Sequence, residues 1–325
     1  MRWIAVGVGV IVCAALPAWV SGEYYVNVAS QVLIYSIFAI GMNFLVGYAG
    51  LISLGHGVLF GVSAYAAAIM LTAGYSDGVA IAVAFAATLA GSLLFGVLAL
   101  RGTGLAFVMI TVALGQIGWG VAYRWLSVTN GENGIIVQSR PTLAGISFAS
   151  PQNFYYLVLV LLLGTVALAG AFSVSPLGSS LKASRDQPRR MHALGYNVWI
   201  IRLIAVVLSG LLSGLSGLLF LYYNQFVSPH AMSLASSAEV VLMVIAGGSA
   251  TLFGPIVGAA VVVLMKTVAS AYIERWNFVL GAIFVAVVIF LPEGIVPGLS
   301  RLFGDVRRYD LRRKEIPAVR VETSP

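Results

Sequence analysis

Between Glu23 and Asp77 the chain carries no Asp, Glu, Lys or Arg. A helix crosses the hydrocarbon core of a bilayer in roughly 20 residues, so this run is too long for one crossing and has to turn back on itself. Gly47–Gly57 is the place: Gly47, Gly50, Gly55 and Gly57 fall there, together with Ser53 and His56. Glycine lowers helix propensity and permits close backbone approach. Irregular backbone at membrane depth is tolerated only where protein or a water-filled cavity satisfies it. The stretch Gly41–Ala68 is therefore read as a helix break, buried among other helices or lining a path. A tight turn at the membrane surface is the plainer alternative.

Composition sets the class. The 325 residues are 60% hydrophobic and 9% charged, against about 25% charged in a soluble domain. The expected fold is all-α, a polytopic membrane helix bundle embedded in the lipid bilayer. Cys13 stands alone, which excludes an internal disulfide and a cysteine metal cluster; Val12 before it argues against a lipoprotein signal. The net charge of +7 sits in a few clusters between apolar runs, as the positive-inside rule requires, and is not a nucleic-acid signal.

Taken in order, Trp3–Val20 is either a cleaved signal peptide or a retained first span; its length and the lack of a clean cleavage site favour retention. Further spans are expected at Val26–Val46, Gly57–Ala73, Val79–Leu100, Leu105–Trp125, Phe154–Val174, Ile200–Tyr222, Val240–Phe253, Ile256–Ile273 and Phe278–Leu291, about ten in all. A second Gly-rich break follows the eighth and holds Gly247, Gly248, Ser249 and Gly254. Residues 1–300 are expected to form one transmembrane domain and 301–325 a basic tail. Arg2, Arg101, the Lys182–Arg190 cluster and the tail fall on one side, while Glu23, Asp77, Glu132 and Glu274 fall on the other. Both termini are thus expected in the cytoplasm, and Ser127–Gln152 outside. Ser209, Ser213 and Gly217 form a stripe of small residues at helical spacing, read as a packing face.

Few residues offer chemistry. No phosphate-binding loop of the Gly-x-x-x-x-Gly-Lys-Ser/Thr type is present, so the chain is not expected to hydrolyse ATP. His56, His192 and His230 lie in separate segments without metal-ligand spacing; no metal, cofactor or enzymatic activity is expected. His56 either satisfies backbone freed by the glycines or lines a permeation route with Ser53. Asn43, Gln116 and Ser249 are further candidates for that route, although neutral amides also join helices. Glu239 caps the eighth helix in the simplest reading, and Lys266 pairs or snorkels. In Ser184–Gly195, Asp186 and Pro188 suit the start of a short exposed helix and Gly195 its end. That helix carries Arg189, Arg190 and His192 beside Arg185.

Some of these strings carry a resemblance. Gly47-Tyr48-Ala49-Gly50-Leu51-Ile52-Ser53-Leu54-Gly55-His56, preceded by Gly41-Met42-Asn43-Phe44-Leu45, resembles the signature of permease subunits of branched-chain amino acid ABC importers. Leu181-Lys182-Ala183-Ser184-Arg185-Asp186 and Ala193-Leu194-Gly195-Tyr196-Asn197-Val198 resemble that family's coupling segment (about 181–197), although Arg189-Arg190-Met191 stands where Glu-Ala-Ala is usual. Thr129–Ile135, Phe226-Val227-Ser228-Pro229, Glu239–Met243 and Gly247–Pro255 fit as well. The resemblance runs from about Ile40 to Gly298, closest to the M-type subunit. It implies import of branched-chain amino acids across a bacterial inner membrane. The partners it implies are a second homologous permease, two ABC ATPase subunits docked on the coupling segment and an extracytoplasmic solute-binding protein. Urea and short-amide permeases share the pattern. A self-sufficient secondary transporter or channel is the rival class; it requires a mid-span coupling carboxylate, and no convincing one is evident.

Overall fold

The computed structural model describes residues 22–137, 142–143, 146–148, 150–272 and 294–302, with isolated positions between. But for such positions, the expected first span Trp3–Val20, the tenth span Phe278–Leu291 and the basic tail lie outside the described residues. The described residues are overwhelmingly helical, in keeping with the all-α expectation. The helices are α1 (Glu23–Asn43), α2 (Gly57–Thr72), α3 (Asp77–Ala99), α4 (Leu105–Arg124), α5 (Pro151–Val174), α6 (Pro176–Asp186), α7 (Pro188–Ala193), α8 (Val198–Asn224), α9 (Leu234–Gly247), α10 (Gly254–Tyr272) and α11 (Ile295–Leu302). Five of them, α1 with its continuation to Ala49, α3, α4, α5 and α8, are long and apolar enough to cross a membrane; α2, α9 and α10 are shorter apolar helices.

The boundaries follow local chemistry. Ser150 and Ser175 cap α5 and α6, each with Pro at the first helical position, and their side chains accept the N–H of Asn153 and Gly178. Such a cap satisfies one of the orphan donors at a helix start. The eighth apolar segment differs from expectation. Its helix begins at Leu234, because Ser233 caps it by accepting the Ser236 N–H, and it stops at Gly247. Glu239 is therefore inside α9 and does not cap it.

The helix α1 is the hub. In its apolar window 89% of residues are buried, against 22% in α4. One face of α1, with Ile34, Ile37 and Ile40, joins the larger core built with α2, α3, α5 and α8. The other face, with Phe38 and Met42, and Val46 in the continuation beyond Asn43, meets Val240, Val244, Val262 and Val263 of α9 and α10. Small residues bring α8 close: a Cβ at Gly217 would fall on the Phe60 carbonyl oxygen, and Ser216 Oγ donates to the Ile34 carbonyl at 2.7 Å. Close contact of this kind joins helices where water supplies no driving force between them. Buried hydroxyls on Ser30, Thr88, Thr165 and Ser213 return to carbonyls four residues back, which satisfies them within their own helices.

Short strands depart from a purely helical expectation. They are β1 (Ile135–Ile136), β2 (Thr142–Leu143), β3 (Ile146–Ser147) and β4 (Phe226–Val227). β1 pairs antiparallel with β4, Ile135 opposite Val227, and β2 pairs with β3. The turn-rich string Thr129–Ile135 and the Phe226–Pro229 string thus meet, and Val137 N–H extends the pairing to the Gln225 carbonyl at 2.9 Å.

Candidate functional site at the junction of two irregular segments

The end of α1 widens into a π turn over Phe44–Ala49, closed by Gly50 at φ +67°. Residues 50–56 then run without regular helix until α2 begins. Wide turns of this kind concentrate at functional sites. This one carries Gly47 against the α9–α10 connection, where a Cβ would overlap both the Asn43 amide oxygen and the Ala250 nitrogen. With no side chain at Gly47, Asn43 reaches across. Its Nδ2 donates to the Thr251 carbonyl at 2.9 Å, and its Oδ1 accepts the Ala250 N–H at 2.9 Å. One amide side chain thereby satisfies an acceptor and a donor of non-helical backbone. Within that connection, Thr251 Oγ1 donates to the Gly248 carbonyl at 2.7 Å and accepts the Gly254 N–H at 3.0 Å. Gly247 lies directly on the Gly254 carbonyl.

A second cluster lies further along residues 50–56. Ser53 and His56 are fully buried, with His56 Nδ1 2.7 Å from Ser53 Oγ. The His56 ring meets the Phe95 ring edge-on at 5.3 Å, and its Nε2 has no hydrogen-bond partner among the described residues. Gly55 abuts the Thr111 carbonyl, so closely that no side chain fits. The Leu54 N–H donates to Thr111 Oγ1 at 3.3 Å, and the Gly57 N–H donates to Ser237 Oγ at 2.9 Å. The segment is thereby threaded between α3, α4 and α9.

After α5 the chain forms α6 and then α7, so the short helix expected within Ser184–Gly195 is α7, and a further helix precedes it. Asp186 is the last residue of α6, not part of the first turn of α7; its neighbour Gln187 precedes Pro188 at that start. Pro188 disfavours helical backbone at the residue before it and so splits the segment into two helices. Met191 is buried and anchors α7, while Arg189, Arg190 and His192 are exposed. Gly195 follows at φ +84°, and its N–H returns to the His192 carbonyl at 3.0 Å. The helix α6 grips the first irregular segment: Arg185 Nη1 donates to the Gly47 carbonyl at 2.6 Å, and Lys182 Nζ stands 4.8 Å from the centre of the Tyr48 ring.

The sequence-derived candidates thus divide. Asn43, Gly47, Gly50, Gly247, Gly248, Gly254 and Arg185 converge on one junction, and Ser53, Gly55, His56 and Gly57 form the neighbouring buried cluster. Gln116 on α4 and Ser249 after α9 are exposed and belong to neither. Thr111, Ser237, Ala250 and Thr251 were not foreseen as partners. Thr251 lies inside a Gly-rich string that marks it, whereas nothing local distinguishes Ser237. Lys266 Nζ reaches both carboxylate oxygens of Glu239 at 3.1 Å. The pair lines a cavity of about 350 Å³ with Tyr24, Gln31, Tyr35 and Met243.

The family described as the permease component of the branched-chain amino acid transport system matches residues 24–288, which include every segment of this junction. The chain belongs to that permease family. This permease is similar to the high-affinity branched-chain amino acid transport system permease protein LivM of Escherichia coli K12, 30% identical over 84% of this chain and 70% of the relative. The protein of the same name in Salmonella typhimurium is 31% identical over 88% and 73%. The autoinducer 2 import system permease protein LsrC of Shigella flexneri is 27% identical over 89% and 86%. No solved structure matches this permease.

Proposed function

We propose that the chain is the membrane-spanning permease subunit of an ATP-driven ABC importer, and that its solute is a branched-chain amino acid. The extent of likeness carries the reading: relatives named for high-affinity branched-chain amino acid transport align over 84% and 88% of the chain. In this reading the chain crosses the bacterial inner membrane about ten times with both termini in the cytoplasm. The stretches 47–57 and 247–255 act as its two helix breaks, and residues 1–300 act as the permease domain. A second homologous permease, two ATPases and an extracytoplasmic solute-binding protein complete the system.

The exposed face of α7, with Arg189, Arg190 and His192, docks on an ATPase. Closure of the ATPases displaces α6 and α7, and the bundle rocks between outward-open and inward-open states. Asn43, Ser53 and His56 are buried in protein contacts, which supports a role in holding the irregular backbone in place. Gln116 and Ser249 are the route candidates that a solute or a neighbouring subunit can reach.

The test is reconstitution in proteoliposomes with the ATPases and the binding protein. Uptake of labelled leucine, isoleucine or valine that requires ATP, both ATPases and the binding protein supports the proposal. Uptake that persists without the ATPases overturns it in favour of a self-sufficient transporter. The relatives named for autoinducer 2 import favour a second reading, another small solute, and preference for autoinducer 2 in the same assay selects it.

A further inference from the structure

We propose that Arg185 is a positioning residue that transmits displacement of α6 and α7 into the irregular backbone at Gly47–Gly50; the inference rests on the coupling role proposed above. The carbonyl of Gly47 lies in the last turn of a helix, where carbonyls lack a helical N–H. The Arg185 guanidinium supplies one at 2.6 Å, and a charged donor makes the bond stronger than a neutral one. The alkyl part of the same side chain fills the space a side chain at Gly50 would need. Its Cγ lies 2.8 Å and its Cδ 3.1 Å from that Cβ position. Lys182, nearly one turn earlier on α6, sits over Tyr48. Gly47, Tyr48 and Gly50 are thus all held by one helix.

The contacts continue in both directions. Arg202 of α8 donates from Nη2 to the Ser184 carbonyl at 2.9 Å, which ties down the residue beside Arg185. On the far side Gly47 lies against Ala250, and Asn43 bonds Ala250 and Thr251. A shift of α6 therefore reaches the α9–α10 connection through two hydrogen-bonded contacts, with Arg185 as the first. Arg185 keeps 45% of its side-chain surface accessible.

The experiment uses the full complex with ATPases and binding protein in proteoliposomes and reads solute imported per ATP hydrolysed. Arg185→Met keeps alkyl volume and removes the guanidinium. The expected result is a complex that retains its ATPases, with the import-to-hydrolysis ratio lower by about tenfold, the scale of one hydrogen bond to a charged group. Arg185→Lys, which still presents one cationic donor, recovers part of the ratio.

A wild-type ratio in Arg185→Met, or an Arg185→Lys ratio no higher than that of Arg185→Met, overturns the inference while leaving the importer reading intact. Loss of the ATPases from the Arg185→Met complex overturns it in favour of a docking role. Absence of ATPases from the wild-type complex overturns the importer reading, and this inference falls with it.

Discussion

Asn43 Oδ1 accepts the backbone N–H of Ala250 at 2.9 Å across 207 positions of sequence. Through that bond, and its companion to the Thr251 carbonyl, one side chain joins the end of α1 to the connection between α9 and α10. Replacing it with alanine leaves a backbone donor and a backbone acceptor without partners in a partly buried site. An unmet group of that kind costs on the order of 1–3 kcal/mol. Asn43→Ala is expected to lower the thermal unfolding midpoint of the detergent-solubilised subunit clearly; an unchanged midpoint would mean that the bridge contributes nothing.

Gly55 has no room for a Cβ because the Thr111 carbonyl occupies its place. Gly55→Ala should sharply reduce the yield of monodisperse protein, as overpacking against backbone cannot be relieved by a rotamer change. Gly61 is a poor control, because a Cβ there would run into the Met232 side chain. Gly120 on α4 has open space around it. Gly120→Ala should stabilise the subunit slightly, by up to about 1 kcal/mol through helix propensity. Equal yields for the two variants would show that residues 50–56 adjust freely around Thr111.

Glu239 and Lys266 should behave as a pair. Either single neutral change, Glu239→Gln or Lys266→Met, takes this partner from a charge in a part-buried site. The expected cost is on the order of 2 kcal/mol, below the roughly 3–5 kcal/mol of a fully buried pair, because Lys266 keeps 35% of its side-chain surface. The double change should recover most of the loss. Thermal unfolding of the four proteins forms the cycle, and simple additivity would show that the two residues act separately.

Gly195 stands at φ +84° and donates its N–H to His192. Proline is locked near φ −65° and has no N–H, so Gly195→Pro should distort the end of α7. Membrane insertion should be intact, since Lys182, Arg185 and Arg189 remain to favour the proposed cytoplasmic placement of the segment. Stimulation of the partner ATPase by loaded binding protein should be lost, as it should in the paired Arg190→Glu and His192→Glu variant. Normal stimulation and uptake in both would return α7 to an ordinary cationic connection.

Orientation is testable independently of transport. In a Cys13→Ala background, a cysteine at Asn133, exposed beside β1, should react with an impermeant thiol reagent added from outside intact cells, and a cysteine at Arg313 should not. Reaction of both from the same side would overturn an arrangement with the 127–152 segment outside and the C-terminus inside.

By itself, the sequence determined the helical class and the approximate positions of the helices within the described residues. A bilayer leaves a spanning segment no partner for its backbone except its own residues, so apolar runs such as Leu105–Trp125 and Ile200–Tyr222 declare themselves locally. Pro188 and Gly195 likewise marked out α7 by rules that act within one turn. The tertiary structure alone decided what the irregular segments do. Asn43 bonds Ala250, Arg185 bonds Gly47 and Lys266 bonds Glu239 across 207, 138 and 27 positions. A side chain's reach to a distant carbonyl depends on which helices pack together, and no local pattern encodes that. The same reason explains why Asn43 and His56 both read as candidate lining residues in sequence, while packing buries one in a backbone bridge and the other against Ser53 and Phe95.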